Sequence, residues 1–258
     1  MFFQHVYDKT LAQASYFIGC QKAGVAAVID PKRDVDTYLD IAKQNNMTIT
    51  HVMETHIHAD FLSGARELAA LTGAKLYLSD EGGPGWEYEF DHVGLKDGTT
   101  FMVGNLKMET LHTPGHTPAC VTFVVGDAAF VGDTLFMPDY GTARADFPGG
   151  DAHVLFRSIR KVLSLPPETR LFLCHDYKAA GREEFLWETT VAAERAGNIH
   201  VHDGVTEDEF VTMRTSRDAQ LGMPRLILPS IQVNMRAGEL PPAEDNGQRY
   251  LKIPLNML

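Results

Sequence analysis

Within Thr55-His56-Ile57-His58-Ala59-Asp60-Phe61, two imidazoles and a carboxylate fall inside seven residues. An apolar run from Met47 to Met53 precedes the segment and a helical pattern follows it, so it reads as a strand-to-helix loop. Loops at strand ends are where a rigid sheet presents side chains to a metal or a substrate. A chain built around such a loop is expected to be a metalloenzyme.

The surrounding pattern extends this reading. Ser15 to Cys20 and Gly24 to Ile29 are strand-like, with Asp30-Pro31 as the closing turn. From Asp34, the residues Val35, Tyr38, Leu39 and Ala42 recur at helical spacing until Asn45-Asn46. Thr48 to Met53 is the strand before the histidine loop. Leu62, Ala65, Leu68 and Ala69 define the next helix, ended by Gly73, and Lys75 to Leu78 reads as another strand. Asp80 to Asp97 is expected to be a turn-rich loop. Its centre, Gly82-Gly83-Pro84-Gly85-Trp86, is no phosphate loop, because no Gly-Lys-Ser/Thr follows.

Short β-runs then come quickly: Thr99 to Val103, Leu106 to Leu111, Val121 to Val125 and Ala128 to Val131, with Asn105 and Asp127 in the turns. A meander after β-α units suggests two sheets packed face to face. Asp151 caps a helix carrying Val154, Leu155, Ile159, Val162 and Leu163, followed by Pro166-Pro167. Arg170 to Cys174 is a strand running into His175-Asp176-Tyr177. Thr206 and Glu209 form a capping box for a helix ending near Leu221. The Pro-rich tail from Met223 is expected to be ordered loop. No repeat or linker interrupts the pattern, so one domain over 1–258 is expected, with 223–258 packed on it as an extension.

Composition narrows the class. The chain has 258 residues, 44% hydrophobic, enough for a substantial core. A formal net charge of −11 argues against nucleic acid as a partner. No apolar run approaches the roughly 18–20 residues that span a bilayer. Met1-Phe2-Phe3-Gln4-His5 lacks the features of a signal peptide, so a cytoplasmic protein is expected. Cys20, Cys120 and Cys174 are scattered and lack C-x-x-C spacing, which suggests core thiols rather than a disulfide or zinc site.

Four strand-end segments carry candidate ligands: His56, His58 and Asp60; His116; Asp133; and His175. Imidazole with carboxylate suits zinc, iron or manganese. Taken singly, each has a bland reading, since an H-x-H is usually surface or core histidine and Gly132-Asp133 is usually a turn. His112 and His116 are four apart, but Pro114-Gly115 between them prevents a helical pair. His112 is given no metal role. The joint pattern is what overturns the bland readings.

In that order the segments resemble the metallo-β-lactamase superfamily, whose pattern is H-x-H-x-D-H, then His, a bridging Asp and a last His. The resemblance covers nearly the whole chain and implies an αββα sandwich of two mixed β-sheets flanked by helices. One departure stands out: Phe61 replaces the final histidine of the first motif, which disfavours a two-metal site.

Several segments are similar to the persulfide dioxygenase (sulfur dioxygenase) branch: Pro114-Gly115-His116-Thr117-Pro118, Arg144-Ala145-Asp146-Phe147, His175-Asp176-Tyr177, Asn234-Met235-Arg236-Ala237-Gly238 and Asn246 through Pro254. This resemblance implies one Fe(II) per chain on His56, His116 and Asp133, with zinc as the alternative. It implies His58, Asp60 and His175 as outer groups orienting ligands or water. Glutathione persulfide and O2 would be the substrates, and sulfite and thiol the products, in sulfide detoxification. Arg144, Tyr177 and Arg236 would bind the substrate, although Arg144 could instead pair with Asp146, and Arg236 could hold the tail. A sulfurtransferase is a possible functional partner, since some relatives carry one fused, and a homo-oligomer is possible. The rival expectations are a zinc thioesterase acting on acyl-glutathione and a non-catalytic metal-binding sensor.

Overall fold

The computed structural model describes residues 1–84, 88, 90–236 and 239–252. Gly85, Trp86, Ala237, Gly238, Ile253 and Pro254, which figure in the motifs above, lie outside the described residues, as do the other positions of 253–258.

Two six-stranded sheets stack against each other. The first runs in the order β1 (Phe2–Asp8), β2 (Gln13–Cys20), β3 (Val25–Ile29), β4 (Thr48–Met53), β5 (Lys75–Ser79) and β6 (Val93–Leu95). Its first three strands are antiparallel, and β3 to β6 are parallel. The parallel crossovers carry α1 (Asp36–Gln44) and α2 (Ala65–Thr72).

The second sheet contains β7 (Thr100–Val103), β8 (Leu106–His112), β9 (Val121–Val125), β10 (Ala128–Phe130), β11 (Arg170–Phe172) and β12 (Glu188–Thr190). These lie side by side from β12 to β7 in reverse chain order. Only β10 and β11 pair in parallel, joined through α3 (Ala152–Val162). Then come α4 (Val191–Gly197), α5 (Glu207–Asp218) and α6 (Ile227–Asn234).

Three apolar clusters follow from strand alternation. Ile18, Ile29 and Met53 of the first sheet meet Phe123, Phe130 and Phe172 of the second in the central layer. Phe17, the neighbour of Ile18, faces the other way with Val28 onto Tyr38, Ile41 and Leu68 of the first helix layer. Val131 and Leu171 meet Leu155, Ile159 and Phe210 on the opposite outer face. The layers are therefore helix, sheet, sheet, helix, the αββα sandwich expected from the sequence.

Some elements depart from expectation. The loop expected over Asp80 to Asp97 contains β6, whose three residues are too few for a periodic signal. β1, β12 and α4 were not anticipated. The tail expected to be loop holds α6, which tolerates Pro229 because its first turn needs no amide donors there.

The topology sends the ends of β4, β8, β10 and β11 to one edge of the sandwich, each followed by a ligand-bearing loop. Backbone bonds join the two sheets there. Val121 N–H donates to Thr55 C=O at 2.8 Å, and Ala14 N–H to Cys174 C=O at 2.7 Å.

Candidate active site

His56 lies in the loop after β4 and is almost wholly buried. Its Nδ1 is 3.0 Å from Thr55 Oγ1, whose own proton goes to Asp30 Oδ2 at 2.8 Å. The imidazole must therefore donate from Nδ1, which leaves a lone pair on Nε2. Burial pushes its pKa well below the usual histidine range, helped by the nearby His58, His116 and His175. A neutral ring is the state a metal ligand requires.

His116 reaches the same point from the loop after β8. Its Nδ1 is tied to Arg144 C=O at 2.8 Å, which again leaves Nε2 as the free acceptor. That loop lies hard against α3: at Gly115, with φ at +131°, an added Cβ would come within 2.3 Å of Leu155 N. Asp133 follows β10 through Gly132, whose φ is +54° and whose added Cβ would meet Thr55 Oγ1 at 2.6 Å. Only glycine allows that approach.

The two Nε2 atoms stand 3.9 and 3.7 Å from Asp133 Oδ2, too far for a hydrogen bond. Ligands about 2.0–2.2 Å from an ion place their donor atoms roughly 3–4 Å apart, so the spacing suits a shared metal. All three ligand atoms lie within 4.8 Å of one another. Asp133 Oδ1 is buried without a hydrogen-bond partner among the described residues. Orphaned acceptors and outward-tied imidazoles fit a metal ion, which the donor set can hold.

His58, two residues along, has a different environment. Its Nε2 sits 3.2 Å from Asp30 Oδ1 and 3.1 Å from Glu54 Oε2. Burial disfavours charge on this ring, but the two carboxylates outweigh it and push its pKa well above the usual histidine range. Phe61 packs over the ring at 4.3 Å between centroids. Asp30 also takes the Thr55 N–H at 2.7 Å, and Glu54 takes Ser63 Oγ. Neither carboxylate was singled out in the sequence, where Asp30 reads only as a turn.

His175 donates from Nδ1 to Ala12 C=O at 3.1 Å and turns Nε2 toward Asp60 Oδ2, 3.2 Å away, and Asp133 Oδ1, 3.7 Å away. Tyr177 stacks on His175 with 9° between the planes. Partial burial, with the Asp133 and Asp60 carboxylates nearby, raises the half-exposed Tyr177 phenol above its usual range, so it stays a donor.

Over these groups opens a cleft of about 220 Å³ walled by Phe136, Tyr140, Phe147 and Tyr177. Three arginines line it. Arg144 is committed: its Nε and Nη2 bond Asp146 at 2.6 and 2.7 Å, and Nη1 bonds Gly222 C=O at 2.8 Å. Arg214 is buried against Asp218 and Thr142 C=O. Arg217, one helical turn on, is exposed and pairs with no carboxylate among the described residues. The sequence offered no signal for it beyond a charged helix. Arg236 lines a separate cavity, with Met235 and Tyr250, rather than this cleft.

The tail contributes to the site through Asn234. Its amide nitrogen donates to His58 C=O and Phe61 C=O at 2.7 Å each, and its oxygen accepts Ser63 N–H at 2.9 Å. Three bonds thus bind the ligand loop to α6.

The sequence pattern of the metallo-beta-lactamase superfamily matches residues 9–175. A probable metallo-hydrolase of Burkholderia pseudomallei is 47% identical over 98% of both chains. Glyoxylase B2 of Dictyostelium discoideum is 46% identical over 88% of this chain and 83% of its own. The mitochondrial persulfide dioxygenase ETHE1 of Bos taurus is 29% identical over 93% and 90%. Among solved structures, ETHE1 from Myxococcus xanthus superposes with a TM-score of 0.83 at 32% identity, covering 93% of this chain and all of that one.

Proposed function

The chain belongs to the metallo-beta-lactamase superfamily, and within it we propose a mononuclear iron dioxygenase that oxidises a low-molecular-weight persulfide to sulfite and thiol. The observation that carries this reading is the state of His58. With its Nε2 held between Asp30 and Glu54 and its ring covered by Phe61, His58 is turned away, which leaves the two imidazoles of His56 and His116 and the Asp133 carboxylate grouped in the cleft, with Asp60 beside them. That set, with open positions, suits non-haem iron and dioxygen. The 29% identity to a protein named persulfide dioxygenase, and the close superposition on an ETHE1 structure, support it.

His56, His116 and Asp133 would hold the ion. An iron ion there supplies electron transfer to dioxygen, which zinc cannot. The balanced reaction is RSSH + O2 + H2O giving RSH, sulfite and two protons, the outer sulfur losing four electrons to oxygen.

The chain's own groups do the rest. Asp60 Oδ2 and His175 Nε2 stand 3.2 Å apart beside Asp133, placed to orient a substrate or water next to the ion. Tyr177 donates a hydrogen bond from the cleft wall. Arg217 supplies an uncommitted guanidinium for a substrate carboxylate such as those of glutathione. The aromatic walls exclude water from the reacting sulfur.

A second reading has its own support: the relatives at 46–47% identity carry hydrolase or glyoxylase names. In that reading one zinc activates water to cleave an acyl-glutathione thioester. One experiment separates them. The protein is loaded with iron, glutathione persulfide is added, and oxygen uptake and sulfite are followed together. Equal uptake and sulfite are expected. No uptake with iron bound, and thioester cleavage by the zinc form, would replace the dioxygenase with the hydrolase.

A further inference from the structure

A second cavity, of about 160 Å³, meets the metal cleft from the side. Ala59 and Phe147 line both spaces, so one methyl group and one ring divide them. The rest of its wall is Ile57, Pro148, Ile231 and Met235, with Thr117 the one polar side chain. That hydroxyl lies 3.1 Å from Cys120 Sγ and is shared with it in a hydrogen bond.

Water is a poor occupant of such a space, because an ordered water needs two to four polar partners. An enclosed apolar cavity of about 150 Å³ stays dry and takes up benzene or xenon; this pocket is half open, and its apolar wall offers a small uncharged gas the same contacts. The main mouth differs in carrying charge beside its aromatic walls, with Asp60, Arg144 and Arg217 around it. An anionic persulfide entering there covers the ion from the polar side. Dioxygen is small, uncharged and apolar, and has to reach the same ion while that mouth is occupied.

We infer that the side cavity is the entry and holding site for dioxygen, separate from the persulfide route; this rests on the dioxygenase reading. Phe147 stands edge-on to His116 at 5.1 Å between centroids, so the ring that divides the two spaces packs directly beside a candidate ligand. Ile231 belongs to α6 and Met235 caps it, so the C-terminal tail completes the wall.

The test uses the iron-loaded protein and two readouts. Crystals pressurised with xenon are expected to show a xenon atom between Ile57, Ile231 and Met235. Ile231→Trp, which fills the cavity away from the ion, should abolish that peak and raise the KM for oxygen several-fold. The persulfide KM and the iron content should stay unchanged. Met235→Phe serves as a second, milder filling should Ile231→Trp fail to fold. If wild-type protein consumes no oxygen, the dioxygenase reading falls and takes the inference with it. If it does consume oxygen, the inference alone is overturned by an empty cavity under xenon or by an unchanged oxygen KM in the folded variant. A rise in the persulfide KM instead would assign the cavity to the organic substrate and overturn it as well.

Discussion

Two buried clusters built from the same kinds of side chain lie side by side, and they solve the problem of buried charge in opposite ways. In the first, Asp30, Glu54 and His58 close on one another, with the imidazole nitrogen 3.1 and 3.2 Å from the two carboxylates. In the second, His56, His116 and Asp133 stop short of one another at 3.7 and 3.9 Å, with both imidazoles tied outward through Nδ1. The first cluster supplies its own cation. The second leaves room for one from solution. Residue type does not separate them; the direction of each hydrogen bond does.

The sharpest way to break this comparison is His116→Ala. Loss of stoichiometric metal is expected by elemental analysis, with the melting temperature of metal-free protein little changed. A variant that still held one equivalent of metal would show that the open cluster is not the metal site.

Asp30→Ala should have the next largest effect, and it should act on stability. Removing one partner of a buried ion pair costs about 3–5 kcal/mol, readable in urea unfolding of the metal-free protein. A stability unchanged from wild type would mean that the closed cluster is not an ion pair holding the fold.

Asn234→Ala tests how far the surrounding frame matters to both clusters, since its side chain holds the loop that carries them. Three lost hydrogen bonds at about 0.5–1.5 kcal/mol each give an expected loss of about 2–4 kcal/mol. Metal affinity should weaken with it, by titration against a chelator. Full affinity in this variant would show that the loop holds its shape without the tail.

The smallest effect concerns a buried carboxyl outside both clusters, which has no cation beside it among the described residues. Glu194 on α4 has Asn198 Nδ2 on Oε2 at 2.6 Å and no hydrogen-bond partner for Oε1 among the described residues. Burial pushes its carboxyl up to about 8 from an ordinary 4.5, so here the charge is avoided by keeping a proton. The folded chain holds that proton more tightly than the unfolded chain. The stability it confers is complete below 4.5 and is lost as pH rises through about 8. Glu194→Gln should therefore flatten the fall in melting temperature across that window. An unaltered pH profile would show that Glu194 is ionised in the fold.

Much of this was legible before folding. The strand and helix periodicities marked β2, β3, β4 and α3 at nearly their observed bounds, and the four ligand-bearing loops stood at strand ends. Asp151 does cap α3, accepting Val154 N–H at 2.9 Å, and Thr206 with Glu209 closes a capping box on α5. Such signals are local, set by residues three or four apart. β6 was hidden because three residues carry no period, and α6 because Pro229 reads as a breaker outside the first turn.

Asp30, Glu54 and Arg217, and the contacts that Asn234 makes, were hidden for another reason. Nothing in a turn aspartate says that it will meet a histidine 28 residues on, and nothing in a helical arginine says that its neighbour Arg214 will take the available carboxylate. By itself, then, the sequence determined the alternation of strands and helices, the αββα layering that buries those apolar faces, and the set of histidines and aspartates delivered to one edge. Only the tertiary structure decided which of those histidines keeps a lone pair for a metal and which becomes a buried cation. The reason is that a buried imidazole takes its protonation and direction from whichever donors and acceptors the fold brings around it, and those come from distant parts of the chain.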